Sequence, residues 1–257
     1  MQTILAVLLL SYLLGSIPTS IITSRLIAGI DIREHGSGNA GATNVYRILG
    51  VGPAIVVGLI DVAKGVAAAL LVSRISINGG AHVSETLLQL IAGGAAVIGH
   101  IWTVFAGFRG GKGMATAIGA LAGVAPAALA TGLVVWIVLI ASFRIMSVAS
   151  LGAATILPVA VWLWESKPDG TLDSELFWFS IILGALIWFT HRGNIRRLIA
   201  GEENVLGRRP AGNGTSPANG NGGHDSGGID RSRSDAAADS ADAETADPEA
   251  GSAGHMS

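Results

Sequence analysis

The sequence predicts an all-α, polytopic integral membrane protein of about seven transmembrane helices, N-terminus outside and C-terminus cytoplasmic. Three observations point there. Half of the 257 residues are hydrophobic and only 13% are charged, against about 25% charged in an ordinary soluble domain. Apolar stretches recur at close to the roughly 20 residues a helix needs to cross a hydrocarbon core of about 30 Å. Basic residues fall in alternate inter-helix loops, as the positive-inside rule requires.

The segments read as follows. The first spans about 3–28 and is interrupted by Gly15 and Pro18, which membrane helices tolerate. The second runs over 52–72 and the third over 87–105. The stretch 114–142 is longer than one span and contains Gly123 and Pro126, so it is split into two short antiparallel helices. The sixth covers 146–164 and the seventh 176–189. With the N-terminus outside, the cytoplasmic pieces hold Arg25, Arg33, Arg47, Arg109, Lys112, Arg144, Arg192, Arg196, Arg197, Arg208 and Arg209. The external loops hold Arg74 and Lys167 beside Glu85, Glu165, Asp169, Asp173 and Glu175. A six-span reading would separate these basic loops onto opposite sides.

Two domains follow: a membrane-embedded domain over 1–209 and a tail over 210–257 rich in Gly, Ser, Asp and Ala. The tail carries no apolar periodicity and is expected to be disordered. It also makes the net charge of -2 uninformative, because without it the chain is basic. The chain has no cysteine, which excludes thiolate chemistry and disulfides. Met1 to Leu14 has no Lys or Arg, so the N-terminus reads as a retained first helix rather than a cleaved signal.

Polar residues interrupt the apolar pattern in three clusters, all on the expected cytoplasmic side. In the first, Gly36, Gly38 and Gly41 permit close backbone approach. Ser37, Asn39, Thr43 and Asn44 offer short hydrogen-bonding groups, and Arg47 a fork suited to phosphate. An ordinary inter-helix loop has the same composition. In the second, Gly110, Gly111 and Gly113 surround Lys112 ahead of a helix start, where anions are favoured. The glycine spacing is one short for a P-loop and Gly113 stands where Ser or Thr should be, which excludes an NTPase. The competing reading is a plain basic turn. In the third, His191 and Asn194 share one helical face, ahead of Arg196 and Arg197. Within the second segment, Asp61 and Lys64 are spaced to pair with each other, with a catalytic role as the competing reading. Ser147 and Ser150 face either a site or backbone carbonyls.

Taken in order, Gly15-Ser16-Ile17-Pro18, His35-Gly36-Ser37-Gly38-Asn39 with Gly41-Ala42-Thr43-Asn44, Gly110-Gly111-Lys112-Gly113, and His191-Arg192 with Asn194-Ile195 resemble the bacterial acyl-phosphate:glycerol-3-phosphate acyltransferases, the PlsY family. The resemblance covers about 1–209. It departs at Thr103, where the family usually has proline, and at Gly193, where it often has glutamate.

The resemblance implies a seven-span fold in the bacterial inner membrane with its site facing the cytoplasm. It implies transfer of a fatty acyl group from acyl phosphate to the 1-hydroxyl of sn-glycerol 3-phosphate. Lysophosphatidate and phosphate would be the products, in the first step of phospholipid synthesis. No cofactor, metal, nucleic acid, acyl carrier protein or coenzyme A is expected. Catalytic roles would fall to His191, Asn194, Ser37 and Lys112. Substrate would be held by Gly36, Gly38, Asn39, Thr43, Asn44, Arg47, Gly110, Gly111, Gly113, Ser147 and Ser150. None of the six histidines has Asp five positions on, so the His-x4-Asp relay of soluble-headed acyltransferases is absent. The rival class is a membrane transporter of phosphate esters or lipids, against which the one-sided gathering of polar groups argues.

Overall fold

The computed structural model describes residues 1–77, 83–165 and 174–207; the expected disordered tail and the external-loop residues Lys167, Asp169 and Asp173 lie outside these. Among the described residues the regular structure is helical. The helices are α1 (Gln2–Gly15), α2 (Thr19–Ala28), α3 (Ala42–Leu49), α4 (Val51–Leu70), α5 (Glu85–Ile101), α6 (Met114–Ala122), α7 (Pro126–Phe143), α8 (Met146–Trp164), α9 (Ser174–Thr190) and α10 (Arg192–Ile199).

Five stretches are long and apolar enough to cross a membrane: Gln2–Ala28, Val51–Arg74, Glu85–Ala106, Pro126–Phe143 and Met146–Trp164. A sixth appears if α9 and α10, bent by 58°, are taken as one broken span. The break expected near Gly123 is present, but its halves are unequal. α7 alone has the length to span, with Pro126 at its first turn, where a missing N–H costs nothing. The nine residues of α6 rise only about 14 Å. The first segment breaks at Ser16–Pro18 into α1 and α2, as Gly15 and Pro18 suggested. Exposed Leu5, Leu9, Leu59, Val134, Ile137, Trp162, Trp178 and Ile182 give the helices an apolar exterior, as a lipid environment allows and water does not.

Between helices the chain packs through small residues. A Cβ on Gly15 would collide with the Ala96 carbonyl, and one on Gly99 with the Tyr12 carbonyl, so α1 and α5 meet backbone to backbone. Gly65 and Gly119 form the same reciprocal arrangement between α4 and α6, against the Thr116 and Val62 carbonyls. Such contacts substitute for a hydrophobic driving force where the solvent is itself apolar. Within α8, Pro158 lacks the N–H that would serve the Ala154 carbonyl. Gly184 of α9 packs onto that carbonyl, and a Cβ there would lie 3.0 Å from it. Leu90, Val97, Leu121, Leu157, Leu176 and Leu183, from α5, α6, α8 and α9, fill the largest apolar core.

Gly119→Val is therefore expected to destabilise the protein by about 1–3 kcal/mol through overpacking against α4. Thermal unfolding in detergent reads this, and an unchanged midpoint would contradict the close approach of α4 and α6.

Candidate active site

The three polar clusters converge. The segment 31–44 is folded by one side chain: Asn44, fully buried, donates from Nδ2 to the Ile32 carbonyl at 3.0 Å and the His35 carbonyl at 2.9 Å. Its Oδ1 accepts from the Ser37 N–H at 2.9 Å. Gly36 and Gly38 adopt φ of +61° and +70°, which favours glycine. The loop is pinned outward by Arg33, which pairs with Asp31 at 2.7 Å and donates to the Ala106 carbonyl. Arg33 and Arg25 beside Asp31 hold its carboxyl well below the usual range. This folding carries Ser37, Asn39, Thr43 and, from the last turn of α3, Arg47 to one wall of a cavity of about 690 Å³.

The loop 107–113 doubles back on the end of α5. Gly110 N–H donates to the Ile101 carbonyl at 3.0 Å and Gly111 N–H to the His100 carbonyl at 3.1 Å. Gly113, with φ +86°, turns the chain into α6. Thr190 Oγ1 donates to the Lys112 carbonyl at 3.2 Å, tying this loop to the end of α9. The Lys112 ammonium then reaches the cavity and donates to Asn194 Oδ1.

His191 follows α9 and is buried. Its Nδ1 lies 2.8 Å from the Ile187 carbonyl. A carbonyl only accepts, so Nδ1 carries the proton and Nε2 of the neutral ring presents its lone pair. Asn194 Nδ2 donates to Glu203 Oε1 at 2.6 Å. Glu203 also accepts from Ser147 Oγ at 3.1 Å and pairs with Arg197 Nε at 2.8 Å. It is brought back into the site because the chain turns after α10, with Leu206 N–H donating to the Arg144 carbonyl at 2.7 Å.

Of the expected residues, Ser37, Asn39, Thr43, Asn44, Arg47, Lys112, Gly113, Ser147, Ser150, His191 and Asn194 line the cavity. Gly36 and Gly38 shape the first loop from outside it, and Gly110 and Gly111 back onto His100 in a small separate void. Ser147 bonds Glu203 rather than a backbone carbonyl. Three polar lining residues were not among the expected site residues: Glu203, His100 and Asp61. Glu203 had no legible signal, because its place depends on the turn after α10. Asp61 was read first as a partner of Lys64, with a catalytic role as the competing reading.

Charge in the cavity is unbalanced. Glu203 is matched by Arg197 and Asp61 by Lys64. Among the described residues Arg47 makes no hydrogen bond or ion pair, and Lys112 has only the neutral Asn194 amide. Burial lowers the Arg47 guanidinium from its usual range. Burial also brings the Lys112 ammonium down to about 8, with Glu203 opposing the shift and Arg197 and Arg47 adding to it. Next to this polar chamber, about 480 Å³ of apolar space lies between α6, α7, α8 and α9, bordered by Leu121, Leu129, Trp136, Leu157 and Ile187. Met114 borders both. No group of His, Asp and Glu among the described residues is arranged to hold a metal.

The family model described as glycerol-3-phosphate acyltransferase matches residues 5–201. The chain belongs to the glycerol-3-phosphate acyltransferase family. It is 45% identical to the glycerol-3-phosphate acyltransferase of Chlorobaculum parvum, over 81% of this chain and 100% of that one. It is 43% identical to that of Chlorobaculum tepidum, over 80% and 97%. The crystal structure of PlsY (YgiH), an integral membrane glycerol 3-phosphate acyltransferase, superposes in its glycerol 3-phosphate form with a TM-score of 0.70 at 34% identity, covering 79% of this chain and 96% of that one. Its lysophosphatidic acid form gives 0.66 at 32% identity, covering 79% and 95%. This member of the family is thus a multi-pass membrane protein, and its matched region holds every cavity residue but Glu203.

Because the Lys112 charge is present below about pH 8 and lost above it, phosphate affinity should fall between pH 7 and pH 9. Inorganic phosphate becomes more anionic over that interval, so its own ionisation works in the opposite direction. Calorimetric titration in detergent measures this, and Lys112→Arg should remove the fall because guanidinium stays protonated. An unchanged fall in that variant would show that another group titrates.

Proposed function

We propose that this chain transfers a fatty acyl group from acyl phosphate to the 1-hydroxyl of sn-glycerol 3-phosphate. The observation that carries the reading is the pair of cations without carboxylate partners, Arg47 and Lys112, in a chamber that adjoins an apolar slot. Both substrates bring phosphate, and one brings an acyl chain. The family and the glycerol 3-phosphate named for the solved PlsY structure support the acceptor. Acyl phosphate as donor, with neither acyl carrier protein nor coenzyme A, rests on the family resemblance and on the two-phosphate charge requirement.

Arg47 and Lys112 would hold the phosphates. Ser37, whose hydroxyl has no partner among the described residues, Asn39 and Asn194 would orient the acceptor and the acyl carbonyl. Glu203 would fix Asn194 and, through Ser147, the start of α8. The acyl chain would lie in the slot past Met114. In the reaction the acceptor oxygen forms a bond to the acyl carbon as the bond to the phosphate oxygen breaks, and phosphate leaves with that electron pair. The hydroxyl proton has two acceptors, His191 Nε2 and the departing phosphate. A mixed anhydride is already activated, so most of the rate would come from placing two substrates together and from cations beside the developing charge. An acyl–Ser37 intermediate has no base beside it and is not part of the scheme.

The proposed topology is seven segments with α6 as a half-length one, N-terminus outside. The site then opens to the cytoplasmic face of the inner membrane, on the side of Arg25, Arg109, Arg144 and Arg192.

The test supplies palmitoyl phosphate and glycerol 3-phosphate to the purified chain in detergent, with palmitoyl-coenzyme A as a separate donor. Equal release of phosphate and lysophosphatidate is expected from the first donor only. Lys112→Ala should lower kcat/KM by about 100-fold or more, and product from coenzyme A alone would refute the donor. For His191→Ala, a fall in kcat of about 100-fold or more would assign it the proton. A rise confined to the acceptor KM would assign the proton to phosphate.

A further inference from the structure

The reaction scheme leaves a buried group of polar side chains beside the cavity unused. Asp61 and Lys64, one turn apart on α4, pair at 2.8 Å with almost no exposure. The same Asp61 oxygen accepts from Thr19 Oγ1 and lies 3.6 Å from His100 Nδ1. Lys64 also donates to Thr19 and to the Ile17 carbonyl at the break between α1 and α2.

An ion pair at this helical spacing needs no third partner, yet three side chains from α2, α4 and α5 converge on one carboxylate oxygen. The far edge of the His100 ring then meets the glycine loop. A Cβ on Gly111 would collide with His100 Nε2 and lie 2.7 Å from the Ala40 carbonyl. Nε2 thus lies against the Gly111 backbone. The imidazole fills the gap between Asp61 and the residue that precedes Lys112.

We infer that Asp61 and His100 are positioning residues for Lys112: Asp61 fixes the imidazole, the imidazole sets the Gly110–Gly111 backbone, and that backbone aims the ammonium into the cavity. The inference rests on the reading of Lys112 as a phosphate ligand. A single atom displaced by about an ångström at such a site costs rate and affinity well beyond its own contacts.

The test compares full-length variants by calorimetric binding of glycerol 3-phosphate and by steady-state kinetics. Asp61→Asn combined with Lys64→Met removes both charges together, so no buried charge is left alone. If the pair served stability only, this variant would fold and bind as the parent does. Positioning predicts about tenfold weaker binding and a raised acceptor KM, with a smaller fall in kcat. His100→Asn, which leaves the ion pair in place, should give the same split and decides the matter if the double variant does not fold.

His100→Asn combined with Lys112→Ala should bind no more weakly than Lys112→Ala alone, because both act through one ammonium. Additive losses, or parental binding in folded His100→Asn, would overturn the inference. Parental binding in Lys112→Ala would instead overturn the phosphate reading beneath it.

Discussion

A backbone N–H or carbonyl without a partner in hydrocarbon costs several kcal/mol, and this constraint organises the molecule. The helices break at residues 16–18, at 102–113 and again at 191. Each break frees backbone groups, and the polar side chains of the interior answer them. Lys64 donates to the Ile17 carbonyl and Thr103 to that of Ser16. Ser16 Oγ donates to Gly99, and Thr190 Oγ1 to Lys112. The loop 107–113 serves the end of α5 with its own N–H groups. Irregular backbone in a membrane domain is tolerated only where protein or a polar cavity surrounds it. The same breaks that must be satisfied are therefore the places where a site can exist.

The charge pattern follows a second constraint. A buried carboxylate or ammonium is stable only when paired, and Asp61–Lys64 and Glu203–Arg197 obey this. Arg47 and Lys112, both partly buried, have no carboxylate partner among the described residues, and burial lowers the Lys112 ammonium. Titratable groups held away from their ordinary values gather at functional sites. Here the excess is cationic, a sign that suits a phosphate-bearing ligand.

Much of this was legible in the sequence, because the signals were local. The apolar lengths gave the long helices, the Gly–Pro breaks gave 16–18 and 123–126, and the helical spacing of Asp61 and Lys64 gave their pairing. The short α3 was not anticipated as a helix, since eight residues are too few for a periodic signal to stand out, and α10 was anticipated only through the helical spacing of His191 and Asn194. Glu203 was invisible for a different reason. It reaches Asn194 and Ser147 only because the chain reverses after α10 and Leu206 bonds the Arg144 carbonyl. No spacing rule encodes that return. The His100–Asp61 approach likewise joins two helices, so a search for a fixed His-to-Asp spacing could not find it.

The two departures from the family pattern test whether site chemistry depends on residue identity or on geometry. Thr103 stands in place of a usual proline, with φ of −69°, within the range proline imposes. That φ suits proline as well, and the Thr103 hydroxyl donates to the Ser16 carbonyl at the first helix break. Gly193 stands in place of a frequent glutamate, one turn before Arg197 on α10. A Cβ there would lie 3.8 Å from Arg197 Nη1, so a carboxylate at 193 would engage the guanidinium that Glu203 already holds at 2.8 Å. A side chain at 193 would add a second partner at the partly exposed edge of Arg197. Glu203 reaches the buried edge and continues to Asn194 and Ser147. Its carboxylate thus ties Arg197 to Asn194 and Ser147 without a partner at 193.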